Sequence, residues 1–238
     1  MQQILFSLIV LFSVFSGADK SEENVLSLKS NNLKGRVKYT SQRTTPSILL
    51  DSDWNTIVDT SLIKYQSVHN KYFNKRGFVE SYKDFDKDST LITYTIFNYT
   101  ESDKFKGFDE FNKDGEKKST MRVVTNSGSS MVMECYSSKT NDLLYEQTML
   151  FENGLCVKKD VNYIGLSMTQ SSVFKLNKAG DIYKTISETG FDGESNKVIL
   201  FVEFLEFDEN GNWTKQIMYT KEDKGSCFVI EREIVYYQ

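Results

Sequence analysis

Phe207-Asp208-Glu209-Asn210-Gly211 is one copy of a five-residue segment that punctuates this chain. Phe73-Asn74-Lys75-Arg76-Gly77, Phe111-Asn112-Lys113-Asp114-Gly115 and Leu176-Asn177-Lys178-Ala179-Gly180 follow the same template. Phe151-Glu152-Asn153-Gly154 is a residue shorter, and Phe85-Asp86-Lys87-Asp88 and Tyr136-Ser137-Ser138-Lys139-Thr140-Asn141 are degenerate copies without the glycine. Each reads as a hairpin turn. An Asn or Asp side chain can accept from the backbone two residues on, and a glycine supplies the positive φ that closes the loop. A loop of fixed geometry also sets the register of the strands it joins. On this reading the large apolar residue before each turn is the last inward side chain of the arriving strand.

The stretches between the turns alternate with a period of two. Trp213, Lys215, Ile217 and Tyr219 fall on one face, as do Val157, Lys159, Val161 and Tyr163, and Ile182 with Ile186. Val198 to Leu205 is apolar on both faces at its start, which calls for cover from another layer or from the region between Ile48 and Ile63. Cys227 to Tyr237 is a further strand that pairs the C terminus into the sheet. Residues 41–67 are less regular and contain the one proline, Pro46; a short helix is expected near residues 51–60, starting at an Asp or Ser cap. The expected fold is all-β: meandering antiparallel hairpins forming a large curved open sheet, a half-barrel or a sandwich, with a closed barrel obeying the same alternation.

Composition agrees. Of 238 residues, 39% are hydrophobic, and 17 Phe and 13 Tyr supply a core. With 29 basic and 33 acidic residues and no long run of either sign, a nucleic-acid partner is not expected. At the N terminus, Ile4 to Phe15 is a mostly apolar run followed by Ser16-Gly17-Ala18, the pattern of a signal peptide cut after Ala18. The run is shorter than the ~20 residues a bilayer needs, although Met1-Gln2-Gln3 lacks the usual basic residue and an uncleaved anchor is the competing reading. The domain plan is then a signal peptide at 1–18, a polar solvated lead-in at 19–32 and one hairpin-repeat domain at 33–238, exported to a periplasmic or extracellular location, with no spanning segment after cleavage.

The turns, and Phe204 to Lys215 above all, resemble the Tyr-Asp repeat of RHS-type proteins, whose units centre on an aromatic-Asp-x-x-Gly-Asn segment. Asn32 to Lys38 is similar to the start of secreted bacterial proteins with degenerate repeats of this kind. The resemblance covers roughly residues 31 to 238, with the Gly-Asn pair complete only at Gly211-Asn212. It implies a meandering antiparallel sheet in an exported protein and brings no catalytic residue with it.

Chemistry is sparse. His69 is the only histidine, and nothing in Val68-His69-Asn70 marks a nucleophile beside it. Cys135, Cys156 and Cys227 show no metal-ligand spacing; Cys135 with Cys156 is the plausible bridge, against three buried free thiols, the favoured reading. Asp208 to Asn212 resembles the start of a calcium loop, but Trp213 and Tyr219 stand where a glycine and a glutamate are required. Glu203, Glu206 and Glu233 are candidates by type for paired-carboxylate glycoside chemistry, and Trp54, Trp213 and Tyr237 for a sugar-stacking platform; outward strand positions and core packing are the plainer readings. Asn98-Tyr99-Thr100 and Asn212-Trp213-Thr214 are glycosylation sequons. No catalytic residue, metal ligand or cofactor is assigned, and ligand-binding residues are unknown. The function expected is a non-enzymatic binding or scaffold protein presenting a sheet surface, with an unknown protein, glycan or apolar ligand as partner. A carrier of a lipid or other apolar ligand and a carbohydrate-active enzyme are the alternatives.

Overall fold

A computed structural model describes residues 31–220 and 225–238; the expected signal peptide and most of the lead-in lie outside them. The strands are β1 (Val37–Leu49), β2 (Thr56–Val58), β3 (Ser67–Phe73), β4 (Val79–Phe85), β5 (Leu91–Tyr99), β6 (Phe105–Asn112), β7 (Lys117–Asn126) and β8 (Ser130–Ser137). They continue as β9 (Leu143–Glu152), β10 (Leu155–Tyr163), β11 (Met168–Leu176), β12 (Ile182–Phe191), β13 (Glu194–Phe207), β14 (Trp213–Thr220) and β15 (Ser226–Tyr236). From β3 to β15 every strand pairs antiparallel with its sequence neighbour. The all-β expectation holds, but the open sheet, half-barrel and sandwich do not. β1 pairs with β3 on one side and with β15 on the other, from Val37↔Tyr236 to Ile48↔Ser226, so that 14 strands close into a barrel. Closure satisfies the two backbone edges that an open meander would leave exposed.

The turn template is borne out in detail. Asn74, Asp86, Asn112, Asn177 and Asp208 each accept, through one side-chain oxygen, the backbone N–H groups two and four residues on. Gly77, Gly115, Gly180 and Gly211 hold positive φ at the fifth position of the segment, and Ser89 takes that conformation in the copy without glycine. Tyr99-Thr100-Glu101-Ser102-Asp103 is a further copy, with the Thr100 hydroxyl accepting from Lys104 N and Asp103 at φ 67. Its Thr hid it from a template written for Asn and Asp.

The apolar residue before the turn is not uniformly inward. Phe73 and Phe151 are buried, whereas Phe111 stacks on outward-facing Tyr94 at 4.8 Å; Phe207, opposite Trp213 and 6.2 Å from Phe204, is 53% exposed. The loop needs only its acceptor and its positive φ, so the parity of the strand decides which way that residue points. Trp213 also leaves its expected face. A bulge between β13 and β14 sets it opposite Phe207 while Lys215 meets Glu206, which turns the indole inward and leaves Lys215, Ile217 and Tyr219 outside.

The helix expected near residues 51–60 is absent. β1 runs on through Pro46 to Leu49 and turns back into β2, and the short 3-10 turn lies later, at Ile63–Tyr65. Pro46 is tolerated because its ring nitrogen points to the gap between β3, whose pairing ends at Thr44, and β2, whose pairing begins at Ser47. The β1–β2 region provides the outside cover that the apolar β13 required. Trp54 packs on Tyr219 at 5.2 Å, and with Leu49 and Leu205 it buries outward-facing Ile217 completely.

Inside, Met121, Met131, Met133 and Met149 fill the wall from β7 to β9 together with Phe97, Phe105, Phe151 and Phe174. Unbranched, flexible methionine suits the irregular gaps of a wide barrel. Outside, charged side chains interrupt the wall: Arg122, Glu134 and Glu146 stand side by side across β7, β8 and β9, and Lys215 lies near Glu231 across β14 and β15. Exposed Ile92, Ile96, Val124, Leu144 and Leu150 lie on β5, β7 and β9. Among the described residues no helix is long and apolar enough to cross a membrane.

Candidate functional site: a chamber at the plugged end

The barrel end that carries the β3–β4, β11–β12 and β13–β14 turns is plugged by the segment before β1. Asn32 Nδ2 donates to Asp181 Oδ1 at 2.6 Å, Lys34 N donates to Asn212 Oδ1 at 2.7 Å, and Asn212 Nδ2 donates back to Lys34 O at 3.0 Å. Asn31 and Leu33 are buried, so the lead-in is not solvated as far as Asn32; its end belongs to the barrel. Above the plug is a cavity of about 120 Å³. Val202, Phe204, Trp213, Met218 and Ile230 form one wall, from β13, β14 and β15. His69 and Lys71 of β3, Gln42 of β1, Arg232 of β15 and Asp181 face it from the others.

Two basic side chains share this chamber. Lys71 Nζ donates to Asn31 Oδ1 at 2.5 Å. Burial, reinforced by repulsion from Arg232, pulls the Lys71 ammonium down to about 7. The Arg232 guanidinium lies over the Trp213 ring, 3.6 Å from its centroid, and donates through Nε and Nη2 to the Trp213 carbonyl. Burial pulls Arg232 down to about 9 against the opposing pull of Asp181, Asp208 and Tyr236, so it stays cationic at neutral pH. A third buried cation, Lys159, sits away from the chamber among the methionines, pulled by burial to about 8.

Beside the chamber the structure supplies a partner that the sequence did not mark for His69. Ser67 Oγ lies 3.0 Å from His69 Nε2, His69 Nδ1 lies 2.5 Å from Asp84 Oδ1, and Thr93 Oγ1 donates to Asp84 Oδ2 at 3.0 Å. The order of atoms is that of a Ser-His-Asp relay, but two requirements of acyl transfer are missing. Ser67 is not part of the chamber lining, and the backbone around it is paired with β1 and β4, which leaves no pair of convergent N–H groups for an oxyanion. The relay therefore satisfies polar groups inside the barrel and orients the ring that faces the chamber. Replacing Asp84 by Ala should lower stability by about 2 kcal/mol by leaving buried His69 without its carboxylate. Urea denaturation checks this, and an unchanged midpoint would show that the relay holds nothing. The available signal was the period-two run Ser67-His69-Lys71, polar on a face that continues into buried Phe73.

The other candidates are dispersed. Glu203, Glu206 and Glu233 are all exposed on the outer wall, with Glu206 3.7 Å from Lys215, and form no facing pair. Trp54 packs outside the barrel and Trp213 inside it, while Tyr237 donates to Phe73 O, so the three make no platform. The three cysteines are free and buried, and burial raises the thiols, Cys156 to about 12 and Cys227 to about 11. Asn212, the sequon asparagine, is 2% exposed with its amide fully engaged, and Asp208 spends its oxygens on Asn210, Asn212 and Tyr236 rather than on a metal. A wide groove on the outer wall is lined in part by Glu146, Asp160, Glu188 and Glu194, but Asp160 is paired with Lys158 and Glu188 accepts from Ser195.

No family model matches the chain. No curated protein matches it either. Among solved structures it overlaps a porin-like protein from Bacteroides uniformis at 8% identity, over 85% of this chain and 98% of that one, with a TM-score of 0.35. It also overlaps a domain described as outer membrane lipoprotein-sorting, from Vibrio parahaemolyticus, at 8% identity over 83% and 85%, with a TM-score of 0.25. Overlaps this loose transfer neither fold nor activity.

Proposed function

We propose that this chain is an exported, non-enzymatic binding protein that carries a small apolar ligand inside its barrel. The observation that carries the reading is the plugged chamber with its wall of Val202, Phe204, Trp213, Met218 and Ile230. A cavity next to a well-packed core is a default ligand site when apolar lining and converging polar groups occur together. Export rests on the signal-like residues 1–18, and the kinship with Tyr-Asp repeat proteins belongs to the same proposal, supported by the turn at Phe207 to Trp213. The interior is preferred over the sheet surface as the binding element because the outer wall is broken up by charge and two of its groove carboxylates, Asp160 and Glu188, are already partnered.

Trp213 makes the test direct. There are two tryptophans in the chain, and Trp54 lies outside the barrel. In the Trp54→Phe variant of the mature chain, titration with 1-hexanol should produce a saturable change in Trp213 emission. A linear, non-saturating response would show that the chamber takes no apolar guest.

A further inference from the structure

The plug also forms a wall of the chamber: Asn31, Asn32 and Leu33 line it, with Leu33 7% exposed. We infer that residues 31–34 are a strap that docks on the guest, so that loading the chamber and seating the plug are one coupled equilibrium. This rests on the carrier reading and adds a moving wall to its site.

Three features make a strap of this segment. It stands outside the ladder, which begins at Val37↔Tyr236, whereas the strands that bear the other walls are paired on both sides. Such a segment can leave while the barrel keeps its own hydrogen bonds, the kind of local opening from which lids are made. Gly35 supplies a pivot. It holds φ +82 just before Arg36, whose carbonyl accepts from Tyr237 N at 2.7 Å, and a Cβ on it would stand 3.0 Å from Tyr236 Cε1. The third feature joins the strap to the site, because two lining side chains also fasten it. Lys71 holds the side chain of Asn31 and Asp181 that of Asn32, so a guest in contact with either one bears on the strap. Asn212 fastens it from outside the lining, through both backbone groups of Lys34. When the strap leaves, the guest loses the apolar surface of Leu33. Linkage then requires the reverse effect, and the guest holds the strap down by the same factor.

Hydrogen exchange on the mature Trp54→Phe chain tests the coupling, with and without 1-hexanol at about ten times the dissociation constant read from Trp213 emission. The Lys34 amide should exchange roughly tenfold more slowly with the guest present, the factor expected when only the docked strap retains it. Slower exchange in β9 with Lys34 unchanged would show that the guest stabilises the barrel while the strap opens freely. That result would overturn the coupling and leave the carrier standing. A second arm adds Asn212→Ala to the same chain. Where its Lys34 amide has lost protection, 1-hexanol should bind about tenfold more weakly, and undiminished affinity would overturn the strap. If that variant fails to fold or keeps its protection, exchange in the Trp54→Phe chain decides by itself. A Trp213 response that never saturates would remove the carrier and the strap together.

Discussion

Gly107→Ala should cost well over 3 kcal/mol or abolish folding, because overpacking that meets backbone cannot be relieved by a rotamer change. Gly107 lies on β6 at φ +137, a conformation that an L side chain rarely adopts, and a Cβ built there would stand 1.9 Å from the carbonyl oxygen of Met121 and 2.8 Å from its carbon. Met121 is itself 2% exposed, in the methionine-filled wall, so β7 has no free direction in which to retreat. Gly107 pairs with Asn98 on one side and Arg122 on the other, so a shift of its backbone would disturb two ladders. Denaturant unfolding of the purified variant is the measurement. A Gly107→Ala protein with an unchanged midpoint would mean that β6 and β7 do not approach as described.

The second large effect is expected at Asn212. Its Oδ1 accepts from Lys34 N, and its Nδ2 donates to Lys34 O and to the Tyr236 hydroxyl. Alanine there would strip both backbone groups of exposed Lys34 of these part-buried side-chain partners, a loss of about 2 kcal/mol for the two bonds. Because the same side chain fastens the plug, residues 31–35 should also become open to protease in the Asn212→Ala variant at temperatures where the barrel is still folded. Hydrogen exchange at the Lys34 amide gives the local measure, and protection as in the wild-type chain would show that the plug is held by other contacts. The turn that first identified the fold thus has a second use: its five residues close a hairpin, and the Asn that follows its Gly binds the chain 178 residues earlier.

Much of this was legible locally. The turn chemistry at Asn74, Asn112, Asn177 and Asp208 depends on side-chain-to-backbone bonds spanning two to four residues, which composition and spacing alone specify. Where prediction failed, strand pairing decided the outcome. The short helix near residues 51–60 lost to β2 because Ser47 to Leu49 offered a ladder for it. The inward turn of Trp213 came from a bulge that depends on its pairing with β13. The chamber was less legible still. Lys71 and Arg232 are 161 positions apart, and neither carries a local mark of function.

From its sequence alone this protein is an all-β chain of hairpins with defined turns, because each of those features is set by the alternation of side chains and by bonds within a few residues. Closure, the plug and the chamber belong to the tertiary structure. An open meander and a closed barrel satisfy the same alternation, and only the meeting of β1 with β15, strands from opposite ends of the described chain, removes the exposed edges and encloses a space. Once that space exists, side chains that look ordinary along the strands, Lys71 and Arg232 among them, face each other across it, and the energetic consequences of their burial define the candidate site.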